Sequence, residues 1–178
     1  MKFIHLVGDA LVSYLKLKII PDKISEYDEL LQSSKLLMYE LYSNAVRHSP
    51  SKRVEVKVQF TLNFLSIDIE TRGPEFIITP KNLADTSYHF PYPESILGSN
   101  FVVYHDSEEM VHCHVHSDSC LEFSRHPVQN TNDQDIEVPE HFGLLFLTTI
   151  CNDVKYFRTK AGLNIFSVKK HFPQEALN

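Results

Sequence analysis

The stretch LLMYELYSNAVRH, residues Leu36 to His48, carries a carboxylate and a carboxamide four positions apart, Glu40 and Asn44, with His48 four further on. At helical spacing these three share one face. The other side is apolar: Leu30, Leu31, Leu37, Met38, Leu41, Tyr42 and Ala45 make one stripe, the pattern of a helix buried along one edge. Pro21 and Asp22 are expected to open this helix. His48, Ser49, Pro50 and Ser51 end it, because proline disfavours helical backbone in the residue before it. A carboxylate and an amide facing one cleft can divide two tasks. The carboxylate can accept a proton from an attacking water or hydroxyl, and the amide oxygen can hold a hard cation that bridges phosphates. Glu, Asn and His can equally be the solvent side of the helix.

The flanks constrain the fold. Ahead of this helix, Phe3, Ile4, Leu6, Val7, Leu11 and Leu15 recur at helical spacing, interrupted by Asp9 and Lys16. This is an amphipathic packing helix rather than an export signal. After it, Val54, Val56, Val58 and Phe60 alternate with Arg53, Glu55, Lys57 and Gln59, and Leu65, Ile67 and Ile69 continue the alternation. Two such runs predict a β-hairpin with one wet face, broken at Thr71-Arg72-Gly73-Pro74. Strands are expected at Asn100–His105, Met110–His116 and Cys120–Ser124, with loop at Gln129–Asp135. A short buried helix follows over Phe142–Ile150. Two strands, Val154–Arg158 and Asn164–Lys170, close the chain around a turn at Lys160-Ala161-Gly162.

The chain has 178 residues, 43% of them hydrophobic, which suits one domain with a real core. Its net charge is −6 with scattered Lys and Arg, so it lacks the basic footprint of a nucleic-acid binder. Cys113, Cys120 and Cys151 are an odd, sparse set, which points to a reducing cytoplasm rather than a disulfide framework. No apolar run is long enough to span a bilayer, so no membrane partner is expected.

The order of elements, with E-L-x-x-N-A-x-x-H on the first long helix, resembles the GHKL (Bergerat-fold) ATPases. Within them it looks most like the anti-sigma-factor serine kinases and histidine-kinase-like ATPase domains. The likeness covers about residues 33 to 76 and 140 to 170. It implies an α+β two-layer sandwich with a mixed β-sheet and helices on one face. Residues 1–178 would form a single ATPase-like domain whose lid region, about 77–138, is enlarged. By the same resemblance Glu40 is the catalytic base and Asn44 the ligand of Mg²⁺, through the nucleotide. His48 is the histidine one turn on. ETRGPEF supplies Thr71, Gly73 and Phe76 to the nucleotide; HFGLLFL supplies Phe142, Gly143 and Leu144, where a helix N-terminus faces phosphate. The cofactors implied are ATP and Mg²⁺. The function implied is an ATP-binding regulator, a serine/threonine kinase acting on a protein antagonist, with a sigma factor or anti-sigma antagonist as partner. A homodimer is also implied, for which the apolar first helix is a candidate surface; packing within the chain is the alternative.

The sequence departs from that pattern. Thr71 stands where the family has an adenine-binding aspartate, and a neutral hydroxyl accepts a weaker hydrogen bond than a carboxylate. Glu75 replaces the turn's second glycine, adding bulk and negative charge that Lys81, Arg72 or Lys35 could offset. Of the second glycine box only Gly143 remains, whereas a phosphate loop needs close backbone approach. These departures raise an alternative: a nucleotide-free pseudo-ATPase serving as a protein-interaction module. Separately, His112, His114 and His116 alternate in VHCHVHSD, so they share a strand face, with His105 across the hairpin. A zinc or nickel site and a solvated face are the two readings.

Overall fold

The computed structural model describes residues 2–19, 21–50, 53–61, 63–80, 86–128 and 142–172; side chains 2–4, 22, 23, 26 and 142 are not among those described. The Gln129–Asp135 loop and Lys81 therefore lie outside the described residues. Helix α1 (Lys2–Lys18) leads through a 3₁₀ helix (Pro21–Tyr27) into α2 (Asp28–His48). Pro21 thus opens a tighter 3₁₀ segment, and the α-helix proper begins at Asp28, where two acidic residues sit in the first turn. Leu30, Leu31, Leu37, Met38 and Leu41 are buried as the stripe requires, and Tyr42 and Ala45 are half-buried. α1 crosses α2 closely and antiparallel: Gly8 meets the Lys35 side chain, Asp9 pairs with Lys35 at 2.6 Å, and the His5 and Tyr39 rings lie 5.7 Å apart, tilted. Leu11 and Leu15 are buried in that contact, so the apolar stripe of α1 packs within the chain, while Leu6 and Leu17 stay exposed.

The strands are β1 (Val54–Phe60), β2 (Phe64–Arg72), β3 (Asn100–His105), β4 (Glu109–Ser117), β5 (Cys120–Pro127), β6 (Asp153–Arg158) and β7 (Leu163–His171), with α3 (Phe142–Ile150) between β5 and β6. They form one seven-stranded sheet in the order β1-β2-β7-β6-β5-β4-β3. Every pairing is antiparallel, which corrects the expected mixed sheet. The reason lies in the connections. Four neighbouring pairs are hairpins, and a parallel pair needs a crossover. Among the described residues the one α-helix between consecutive strands, α3, returns the chain to an antiparallel neighbour. Within the region 77–138 the described strands β3, β4 and β5 extend the sheet.

Following the register across the ladder, one face carries Val56, Ile67, Ile69, Val168, Val154, Tyr156, Leu121, Phe123, Cys113 and Val111. These join Leu37, Met38, Leu41, Leu144 and Leu147 in one core, with the helices over that face. The opposite face is polar where Lys57, Asp68, Glu70 and Lys169 stand, so the layer order is helices, then sheet, then solvent. Gly162, at φ +75°, makes the predicted β6–β7 turn. Among the described residues no helix is long and apolar enough to cross a membrane.

Candidate functional site

The structure brings Glu40, Asn44 and Gly143 together. The Asn44 Nδ2 donates to Glu40 Oε1 at 2.9 Å across one turn of α2, and both side chains are half-buried. Gly143, in the first turn of α3, faces this pair so closely that a Cβ there would lie 2.6 Å from Glu40 Oε1 and 2.9 Å from Asn44 Nδ2. Leu144 and Leu147, beneath Gly143, are buried and anchor α3 in the core. A nucleotide–Mg²⁺ group would need an amide oxygen for the cation, a carboxylate to accept a proton and a glycine for close approach, and residues of these three types stand together here. The Asn44 amide and the Glu40 carboxylate share one helix face, and a Cβ at Gly143 opposite them would collide with the ends of both side chains. Leu144 itself points into the core, and the Phe142 side chain lies outside those described.

One turn further along α2, His48 meets the β2 turn through its backbone. Gly73 packs against the His48 carbonyl, where a Cβ would come to 3.2 Å, and the Ser49 hydroxyl donates to the Arg72 carbonyl at 2.6 Å. The His48 side chain is exposed. Thr71 is half-buried on the helix-facing side of β2, opposite Val54 and Asn164.

Phe76 is engaged within the chain through both its ring and its backbone. Its ring lies 5.3 Å from Phe123 and 5.8 Å from Tyr156, within an aromatic cluster over the sheet. Its N–H donates to the Tyr156 hydroxyl at 3.1 Å, and its carbonyl accepts from the buried Tyr92 hydroxyl at 2.7 Å. These contacts pack the half-buried Phe76 against the core. A chain that must bury both an aromatic ring and its own backbone groups finds partners for all of them here.

Sequence reading missed the residues that hold the turn. Arg158 donates through Nη1 to the Gly73 carbonyl at 3.0 Å and to Asn164 Oδ1, and its guanidinium lies 5.5 Å from the Phe90 ring centre. The Asn164 Nδ2 donates to the Pro74 carbonyl at 2.8 Å. Glu75 contacts His89 at 3.0 Å and Arg158 at 4.0 Å. The His89 hydrogen bond first, then the backbone and the Arg158 charge, hold the Glu75 carboxyl below the usual carboxylate range. Among the described residues Glu75 meets Arg158 and His89, while Lys35 pairs with Asp9 and Arg72 donates to the Ala161 carbonyl. Nothing local marks this cluster in sequence, because Arg158 and Gly73 are 85 positions apart.

On the open face, the His112 ring lies 4.7 Å from His126, its Nε2 sits 3.0 Å from the Met110 sulfur, and His114 bonds Asn100 at 3.0 Å. Burial, then the neighbouring His126, lower the His112 pKa. Among the described residues no three His, Cys, Asp or Glu side chains gather to hold a metal, so VHCHVHSD does not assemble the ligand set considered from sequence. All three cysteines are free and buried. A polar cleft of about 490 Å³ opens beside β5 and the end of α3, lined by Asn100, His114, Glu122, Ser124, Thr148 and Asn152. It includes none of the residues proposed for the nucleotide.

No protein-family model matches this chain, and neither the curated proteins nor the solved structures contain a match.

Proposed function

We propose that the chain is a cytoplasmic ATP–Mg²⁺-binding regulatory protein of Bergerat type, acting on a protein partner. The observation that carries this reading is the hydrogen-bonded Glu40–Asn44 pair set against the only residue type that leaves room opposite it, Gly143. The order of long helix, hairpin, Gly73 turn, Gly143 helix and closing hairpin supports it. Bound nucleotide and cation would supply the transferable phosphoryl group and its charge neutralisation. In this reading the Asn44 amide oxygen ligates the cation, which leaves its Nδ2 donating to Glu40. Glu40 accepts the proton of a serine or threonine hydroxyl, or of water, and holds it on its carboxylate. The partner is a sigma factor or an anti-sigma antagonist. The test is Glu40→Ala with radiolabelled ATP: nucleotide binding is retained and phosphoryl release or transfer is lost. A transfer rate equal to wild type removes Glu40 from this role.

A second reading, the nucleotide-free interaction module, has its own observation. The Glu40 carboxylate already lies at the first turn of α3, where a helix N-terminus attracts an anion. It therefore takes the place a phosphate would need. The packing of Phe76 against the core favours the same reading. On this account partner binding is indifferent to ATP and Mg²⁺, and a nucleotide-dependent complex refutes it.

A further inference from the structure

We propose that two copies of this chain join edge to edge through β1, about a two-fold axis at Val56, to make one continuous sheet. Among the described residues β1 pairs only with β2. The direction of its free backbone groups follows from the hairpin. The Thr61 N–H donates to the Phe64 carbonyl at 2.9 Å, which makes this a hydrogen-bonded pair. Alternation along an antiparallel ladder then turns Gln59, Lys57 and Glu55 toward β2. The N–H and C=O groups of Val54, Val56, Val58 and Phe60 consequently point away from the sheet, a regular row open to another strand. The opposite edge is not equivalent. β3 is broken by a register shift between Val102 and Tyr104, and Tyr88 packs 5.3 Å from Phe101 beside it. Bulges of this kind blunt an edge.

The occupant is identified by charge. A symmetric antiparallel pair must set outward groups against outward groups, so the axis falls on a residue rather than between two. With the axis at Val56, Val54 faces Val58 and Glu55 faces Lys57, each twice by symmetry. With the axis at Glu55, that carboxylate faces its own copy and Lys57 faces Arg53. With the axis at Lys57, the ammonium faces its own copy. At Val58, Lys57 meets Gln59 and no charges pair. With the axis at Val54, Arg53 faces Glu55, but Val56 and Val58 then run past the end of β1 and meet no strand mate. Of the registers that overlap along β1, the one at Val56 sets opposite charges together and also covers the valines, and it is self-complementary, which is what a second copy of the same chain requires. Glu55 and Lys57 are about half exposed at this edge, at 47% and 55%. In the pairing they occupy non-hydrogen-bonded positions, where opposed side chains are closest. On the other face the half-buried Val54, Val56 and Val58 would be covered by their mates.

Analytical ultracentrifugation of the full chain, up to about 100 µM, tests this. The wild type is expected to dimerise. Glu55→Lys and Lys57→Glu should each weaken the dimer by roughly tenfold or more, since each places like charges opposite twice. The double variant should recover the wild-type association. Folding is controlled by Glu55→Lys: Glu55 stands opposite Glu70 in the β1–β2 ladder and its contact with the exposed Arg53 is long, at 3.5 Å, so this change should not lower the thermal midpoint. Lys57 pairs with Glu70 within the chain, so Lys57→Glu is read beside Lys57→Gln, which loses that pair without placing like charges across the dimer. A wild-type monomer, a dimer indifferent to Glu55→Lys, or a double variant that fails to recover would each overturn the proposal.

Discussion

Replacing Gly143 with alanine separates the stability of the fold from the integrity of the Glu40–Asn44 pair. The new methyl would lie 2.6 Å from Glu40 Oε1 and 2.9 Å from Asn44 Nδ2, both below the 3.0 Å that real Cβ contacts respect. Backbone strain plays no part, because positive φ among the glycines is confined to Gly98 and Gly162. What must move is the far end of two side chains, by several tenths of an ångström. Losing their hydrogen bond costs about 1 kcal/mol, since the pair is only half-buried. Alanine returns up to about 1 kcal/mol of helix propensity at an interior position, less in a first turn. The two nearly cancel, so the melting temperature should shift by no more than about 3 °C. Ligand binding has no such compensation. If Asn44 and Glu40 serve nucleotide and cation, displacing both should weaken Mg²⁺–ATP binding by at least about tenfold, or 1.4 kcal/mol. The assay is thermal denaturation of wild type and variant, each with and without Mg²⁺–ATP. A variant that melts as the wild type does and is stabilised equally by nucleotide would refute the reasoning. A fall of 10 °C or more would refute the claim that only side-chain ends must yield.

Other consequences concern the turn and the core. Tyr92→Phe removes the buried donor to the Phe76 carbonyl and should cost about 1–2 kcal/mol in urea unfolding, with Phe76 left packed. Because the folded Glu75 carboxyl titrates below its ordinary 4.5, its contribution to stability is present above that pH and is lost as the pH falls through the lowered value. Glu75→Gln should therefore flatten the acid limb of the stability curve, as read from urea midpoints taken from neutral pH downward. Burial pushes the Cys151 thiol up to about 12 and raises Cys113 and Cys120 as well. A thiol reagent at neutral pH should leave the native protein unlabelled and label all three cysteines in denaturant.

Much of the architecture was legible because it is written in short-range periodicity. The alternation from Val54 to Ile69 gives β1 and β2, and their Cα register follows once the hairpin closes at Thr61 and Phe64. The stripe from Leu30 to Ala45 gives α2, and the unbroken apolar run at Leu144 gives a helix wedged into the core. Legibility ended where pairing is non-local. That β7 inserts beside β2, and that β5 joins β6 to carry the 77–138 strands into the same sheet, depends on which exposed edges meet. The site divides in the same way. Glu40 and Asn44 were readable as neighbours because they are one turn apart, but their contact with Gly143 spans the fold. The resemblance of ETRGPEF gives Phe76 to the nucleotide, and no local pattern announces the two tyrosine hydroxyls and two rings that meet it beside the core. Arg158 carried no local signal, and it became visible only beside the Gly73 carbonyl and Glu75.

Calorimetric titration of ATP, with and without Mg²⁺, into the wild type and Asn44→Ala tests the central claim most directly. Micromolar, Mg²⁺-dependent binding that is lost in Asn44→Ala is the predicted result. No heat and no thermal stabilisation in the wild type, or binding that Asn44→Ala leaves intact, would contradict it.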